Sequence, residues 1–226
     1  MVQVHVVTRD NRQHHPTALR SYHHWRHLIY VEERGWSDLR RPDGLDIDQF
    51  DDDHAVHLIA VKDGGVVGGS RMIPMDHPTL LSEVFPHLVE RGPVPRDAQT
   101  IDWTRMFVVP SHRTGRGPNS VAGALFCAVM EYCLSVGATR VGGVMETFWL
   151  PRWQRFGWTT RPLGLPIEIA GSMTLAAFMD VDARALAGVR EATGWAHTVL
   201  AAPDGADDAA WRDEAGHPSQ DYRMAG

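Results

Sequence analysis

The sequence is poor in several things, and each lack excludes a class of protein. Only two cysteines, Cys127 and Cys133, occur in 226 residues. They stand six apart in an apolar, helix-like segment. They read as buried free thiols in a reducing compartment rather than as a disulfide framework. Basic charge is also short: 22 lysines and arginines face 28 acidic residues, a net charge of −6. That balance argues against a nucleic-acid binder. No apolar run approaches the length of a membrane span. The opening "MVQVHVVTRDNRQ" has neither a basic leader nor a long apolar stretch, so no secretory signal is expected. The expectation is a soluble, cytoplasmic protein with no nucleic-acid and no membrane partner. A hydrophobic content of 43% still allows a sizeable core.

Signature motifs are missing too. No G-x-G-x-x-G follows the first strand-like run, which disfavours a dinucleotide-binding fold. There is no Gly-Lys-Ser/Thr phosphate loop, no nucleophile elbow and no Ser-His-Asp order. The pairs His14-His15 and His23-His24 lack a cysteine or carboxylate partner at ligand spacing, so no metal site is expected.

What is present reads as alternating strands and helices. Residues 2–8 alternate like a strand, and 16–33 place Leu19, Tyr22, Trp25, Arg26, Ile29 and Tyr30 on one helical face. Two strands, 55–61 and 66–73, flank the turn Asp63-Gly64-Gly65. A short helix is expected over 80–90 and a strand over 100–109. The clearest helix spans 119–136 and is ended by Gly137. "RVGGVME" reads as a strand, "WLPRWQRFGW" as a short helix and turn, "MTLAAFMDV" as a last strand and 183–193 as a last helix. The sum is an α/β fold with a mixed sheet of six to eight strands packed against helices. One domain is expected over 1–200. Residues 201–226, where Gly, Ala and Asp dominate, are expected to form a flexible tail.

Four segments carry charge where a fold alone does not need it. "DIDQFDDDH" is either a solvated acidic loop or a cation binder beside a site. It lacks the glycine and glutamate of an EF-hand. In extended geometry Asp46 and Asp48 share a face and Asp51 takes the other. Arg71, inside "GGSRMIP", either points to solvent or is buried and paired with these aspartates or Asp102. In "IDWTRMFV" a regular strand sends Asp102 and Arg105 to opposite faces; one β-bulge brings them together. The alternative is that Asp102 and Thr104 line a solvent face. Finally "HRTGRGPNS" offers Arg113, Gly115, Arg116 and Gly117 just before a helix N-terminus. That is either an anion cradle or an ordinary glycine-rich connection. The Gly-x-Gly after a strand resembles the acyl-CoA-binding turn of GNAT acetyltransferases.

The order of these features is specific. Arg26, Tyr30 and Trp36 are followed by "DIDQFD", then by "GGSRMIP", then by "DWTRMFV". This resembles the acyl-homoserine lactone synthases, the LuxI-type autoinducer synthases, over residues 20–180. The family's recurring positions map onto Arg26, Tyr30 (usually phenylalanine), Trp36, Asp46 (usually glutamate), Asp48, Asp51, Arg71, Asp102 (usually glutamate) and Arg105. The resemblance implies a GNAT-like three-layer sandwich, a mixed twisted sheet flanked by helices. It also implies a two-substrate reaction. The amine of S-adenosylmethionine (SAM) attacks an acyl thioester, and the SAM carboxylate then displaces methylthioadenosine to close a lactone. SAM and the acyl thioester are substrates, and no further cofactor is implied.

Within that resemblance each residue acquires an expected role. Asp102 is the general base, one methylene shorter than the family glutamate, so a bridging water is expected. Asp48 holds the amine side, and Arg71 or Arg105 grips the SAM carboxylate. Arg26, Tyr30, Trp36 and Phe107 line the SAM pocket, with Asp46 and Asp51 a structural acidic cluster. Main-chain N–H groups of the strand carrying Phe107 and Val108 face the thioester oxyanion. Arg113, Gly115, Arg116 and Gly117 hold the carrier's phosphate, and Met145, Glu146 and Trp149 border the acyl chain. "METFWLPRWQRFGWTTRPLGLP" looks like the subset using branched or aryl acyl-CoA. Acyl carrier protein is the other possible donor. Two other readings remain: an N-acyltransferase on another amine, and a non-catalytic small-molecule sensor on the same scaffold.

Overall fold

The computed structural model describes residues 1–113 and 119–202. Eight strands form one sheet: β1 (Gln3–Val7), β2 (Val56–Lys62), β3 (Gly65–Pro74), β4 (Thr100–Val108), β5 (Arg140–Glu146), β6 (Thr160–Pro162), β7 (Ile167–Ile169) and β8 (Ser172–Asp180). The spatial order is β1-β2-β3-β4-β5-β8-β6, with β7 also on β8. Only the β4–β5 pair is parallel; every other pair is antiparallel. After β1, helix α1 (Pro16–Arg26) starts with proline, whose missing N–H costs nothing there.

The expected helix over 16–33 is thus only partly regular. From His27 to Glu33 the chain widens into a π-helix, and the Arg34 N–H reaches back to the Ile29 carbonyl. Such widened turns are frequent at functional sites. The helix expected over 80–90 is shorter still. α2 (Leu80–Glu83) starts at a Thr79–Ser82 capping box and stops ahead of Pro86, which cannot continue a helix. The short strands β6 and β7 lie in a stretch given no strand above, because three residues carry no readable period. α3 (Val121–Ser135), α4 (Leu150–Arg155) and α5 (Ala183–Thr193) fall close to expectation.

The layers follow from apolar content. Twelve of the 15 residues of α3 are buried, so it sits between sheet and α5 rather than at the surface. Gly123 lets α5 approach: a Cβ there would lie 2.9 Å from the Thr193 Cβ. Leu58, Met72, Trp103, Leu125, Phe126 and Met130 belong to this α3-side core. On the opposite sheet face α1 covers a second apolar layer with Tyr22, Ile29, Ile59 and Phe107. The result is the expected helix–sheet–helix sandwich. At one edge, residues 199–201 add a parallel rung to β1.

The strands β4 and β5 pair only from Thr100 to Asp102, against Arg140 to Gly142. Both run on, to Val108 and Glu146, without pairing each other. A cleft therefore opens in the middle of the sheet, with Asp102 at its head.

Candidate active site

Next to that cleft, β4 is irregular. Gly69 faces Phe107 and Arg71 faces Thr104, so three steps of β4 match two of β3. The extra residue is a bulge at Arg105, whose φ is 54°. The positive φ turns Arg105 off the Trp103 face and onto the face that carries Thr104 and Arg71. Arg71 donates from Nε to the Thr104 hydroxyl at 3.2 Å. The bulge that the charged pair in this strand demands is present.

Three arginines and three aspartates meet on this face. Arg26 donates from Nε to Asp46 at 3.0 Å and from both Nη atoms to Asp51 at 2.7 and 3.0 Å. Arg105 donates to Asp46 and Asp48, each at 2.9 Å. Arg71 reaches Asp48 at 2.5 Å and lies 3.1 Å from Asp51. The charges balance, and burial demands that balance: Arg26 and Arg71 have no exposed side-chain surface. Asp48, at 16%, is the most open of the six. Arg71 is therefore buried and paired, not solvent-facing. The expected split of the aspartates between two faces is not found. Residues 46–51 form a turn, closed by the Asp51 N–H on the Asp48 carbonyl, and all three carboxylates converge.

Electrostatics follow from this packing. Burial disfavours the charge on Asp46 and Asp51, but the guanidinium of Arg26, with Arg105 beside Asp46 and Arg71 beside Asp51, outweighs it. Both carboxyls are held below the usual range. Behind them, burial pushes His57 down to about 3 and His23 down to about 4, so both imidazoles stay neutral.

Asp102 is the opposite case. Its carboxylate is fully buried and pushed up to about 6 by desolvation, which outweighs the attraction of Arg71. The Thr79 hydroxyl and the N–H groups of Leu80 and Leu81 face it and favour the anion. Even so, neither carboxylate oxygen closes a hydrogen bond of ordinary geometry, and Nη2 of Arg71 is likewise buried and unpartnered. Unmet buried polar atoms of both signs are costly, and here a donor and an acceptor stand on the same face. Such a carboxyl is a base poised near neutrality.

The other candidate residues divide. Tyr30 and Trp36 stack at 5.0 Å, and the Arg105 guanidinium lies over both rings at 5.3 and 5.8 Å. The Tyr30 hydroxyl donates to the Met106 carbonyl at 2.8 Å, next to the bulge. The Phe107 ring is buried against Tyr22 under α1, in the apolar layer of that sheet face. Arg113 donates to the Val108 carbonyl at 2.8 Å and at 2.5 Å to Glu33, so its charge is already engaged. Gly115, Arg116 and Gly117 lie outside the described residues. Glu146 pairs with Arg34, tying the end of β5 to the segment after the π-helix. Met145 and Trp149 pack on the α3 side, where Trp149 stacks on Trp153 at 5.4 Å and Trp153 on Trp158 at 5.1 Å.

Sequence reasoning missed three contributors. Thr104 anchors Arg71, although the alternative reading placed it and Asp102 at solvent; both are buried. Thr79 belongs to a capping box, a legible signal whose nearness to Asp102 is not. Ser70 accepts from the Trp103 indole, fixing that ring beside the cleft. Among the described residues no group of three or more His, Cys, Asp or Glu is placed to hold a metal ion. No helix among them is long and apolar enough to cross a membrane.

Comparison with known proteins bears on the family and the fold. Residues 10–189 match the family model described as autoinducer synthase. The chain is 40% identical over 183 residues to an isovaleryl-homoserine lactone synthase of Bradyrhizobium diazoefficiens, covering 81% of this chain and 82% of that protein. The solved structure of BjaI, a CoA-dependent acyl-homoserine lactone synthase, with SAM and isopentyl-CoA superposes with a TM-score of 0.83 at 37% identity. It covers 89% of this chain and 93% of that one. An N-acetyltransferase described from Lactobacillus plantarum shares only the fold, at 14% identity, TM-score 0.52 and coverage of 80% and 99%.

Proposed function

The chain belongs to the autoinducer synthase family, and we propose that it makes a quorum-sensing signal from SAM and a short branched acyl-CoA. It is an acyltransferase of the acyl-homoserine-lactone-synthase type. The observation that carries the substrate reading is the pair of unmet groups on one face. Nη2 of Arg71 offers a donor for a carboxylate, and Asp102 an acceptor for an ammonium. Together they suit the α-amino-acid end of SAM.

The reaction then runs in two bond exchanges. Asp102, directly or through a water, takes a proton from the SAM ammonium. The freed amine attacks the thioester carbonyl; the C–N bond forms as the C–S bond breaks, and coenzyme A leaves as the thiolate, which takes up the proton that the acylated nitrogen gives up. The SAM carboxylate next attacks its own γ-carbon, forming the ring C–O bond and releasing methylthioadenosine. Arg71 orients that carboxylate, and Asp48, the most open acid of the network, shares the amine. The Tyr30–Trp36 stack flanks the sulfonium and adenine, with Arg26, Asp46 and Asp51 setting the frame. The β5-facing edge of β4 beyond Asp102, on the way to Phe107 and Val108, supplies N–H donors for the oxyanion.

The thioester enters the cleft between β4 and β5. We assign Arg113, Gly115, Arg116 and Gly117 to its phosphates, and Met145, Glu146 and Trp149 to the end of the acyl chain. The name of the Bradyrhizobium relative and the isopentyl-CoA bound to BjaI support a branched acyl-CoA donor. A net charge of −6 gives no general attraction to acidic acyl carrier protein. SAM and acyl-CoA act as substrates rather than cofactors. We place the reaction in the cytoplasm, carried by residues 1–200 as the catalytic unit, with 201–226 as a tail.

The test is a purified reaction with SAM and a panel of acyl-CoAs and acyl carrier proteins, followed by mass spectrometry. Acyl-homoserine lactone and methylthioadenosine should appear in equal amounts, with branched acyl-CoA best. No lactone with any donor would overturn the reading.

A further inference from the structure

Residue 143 sits where three constraints meet. Pairing of β5 with β4 stops one residue earlier, at Gly142 opposite Asp102. Gly143 itself has φ 138°, a conformation that residues with a Cβ rarely adopt. A Cβ there would lie 2.0 Å from Oδ1 of Asp102 and 3.2 Å from its Cγ, whereas the nearest main-chain atom, the Trp103 nitrogen, is at an ordinary 3.7 Å. Outside the adjoining residues, both atoms closer than 3.7 Å to that Cβ therefore belong to the carboxylate. Gly142 differs: its Cβ would meet the Ala177 carbonyl at 2.1 Å, a constraint of β5–β8 packing alone.

We propose that Gly143 is a positioning residue for Asp102. Its missing side chain leaves the space that holds the carboxylate at the head of the β4–β5 cleft, on the same face as Arg71. The inference rests on the reading of Asp102 as the base. Its remaining surroundings are closed: the residue has no exposed surface, and Thr79, Leu80 and Leu81 bound it on the α2 side. β5 is held by its register with β8, Gly143 opposite Ala177 and Val144 opposite Ala176. A methyl at 143 would meet a short, rotatable side chain on one side and a paired strand on the other. The carboxylate turns away, and the base is displaced from its aim.

The experiment is a double-mutant cycle on the full chain, using Gly143→Ala, Asp102→Ala and the pair. It reads kcat and KM from methylthioadenosine release and Tm from thermal melts. Gly143→Ala should lower kcat by about tenfold or more while KM for SAM and acyl-CoA stays within about twofold. Added to Asp102→Ala it should change kcat little, and its Tm loss should shrink, since backbone strain is common to both backgrounds and the clash is not. Equal Tm losses in both backgrounds, or a wild-type kcat for Gly143→Ala, would overturn the proposal. If Gly143→Ala does not fold, a folded double variant supports the proposal and an unfolded one counts against it. Wild-type kcat for Asp102→Ala alone would remove the base assignment, and the Tm cycle would still decide whether residue 143 packs against the carboxylate.

Discussion

Arg105 donates from Nε to Asp46 at 2.9 Å, and it does so from a left-handed backbone conformation that a regular strand would not supply. A residue with a Cβ held there costs of order 1–3 kcal/mol. A buried, hydrogen-bonded ion pair with two carboxylates offsets that cost. The bulge and the charge network therefore depend on each other.

Asp102→Asn should lower kcat by about 10²–10⁴-fold, the usual range for a general base. The fold should survive. The carboxyl is raised from its ordinary value to about 6, so at pH 8 the folded state holds an anion it disfavours. Removing the charge should raise stability there by up to roughly 3 kcal/mol. Chemical denaturation at pH 8 checks the second effect, and methylthioadenosine release the first.

The same carboxyl predicts a pH profile. The base form exists above its pKa of about 6. The kcat/KM profile should therefore fall on the acid side with a one-proton limb near pH 6. A limb below pH 5 would mean that Asp102 is not the titrating base.

Stability should move the other way for the network around Arg26. His23 and His57 are depressed in the folded state, to about 4 and about 3, so the unfolded chain takes up their protons first. Their contribution is full above about pH 6.5 and is lost as pH falls toward 4. Asp46 and Asp51, also depressed, add further loss below about pH 4. Asp102, being raised, opposes the loss between about pH 4 and 6, so Asp102→Asn should steepen it. Thermal melts across pH 4–8 read both slopes. Asp51→Ala at pH 7 should cost about 3–5 kcal/mol, because Arg26 keeps its burial and loses a bidentate partner.

Tyr30→Phe should cost only about 0.5–1.5 kcal/mol, the worth of one hydrogen bond to the Met106 carbonyl. The stack on Trp36 survives in the variant. Activity should stay within a few-fold. A loss of 100-fold would mean that the hydroxyl touches substrate.

Trp149→Ala should widen donor choice. The ring is half-buried at the end of a three-indole stack with Trp153 and Trp158. Its removal should raise the kcat/KM of longer acyl-CoAs relative to a five-carbon branched one by about tenfold, the worth of one or two methylenes in a pocket. An unchanged ratio would place Trp149 outside the acyl site.

Much of the fold was legible because the signals are local. The β2–β3 hairpin follows from Asp63-Gly64-Gly65 between apolar runs, and α3 from its unbroken apolar length ended by Gly137. The π-helix at His27–Glu33 was not legible, since a widened turn leaves the composition unchanged. Nor were β6 and β7, each three residues long. The contact of Phe107 with Tyr22, 85 residues away, was not legible either, because strand period gives a face and not the partner on it.

The sequence by itself determined the order of the elements and the list of charged residues, because period, turn chemistry and residue identity are properties of neighbouring positions. Only the tertiary structure decided how those charges behave. Asp46, Asp51 and Asp102 are the same residue type, yet two are held below their ordinary pKa and one is lifted to about 6. The difference is which arginines face each carboxylate after burial has removed water. That is set by partners 20 to 59 positions apart in the chain, such as Arg26 and Arg105 on Asp46.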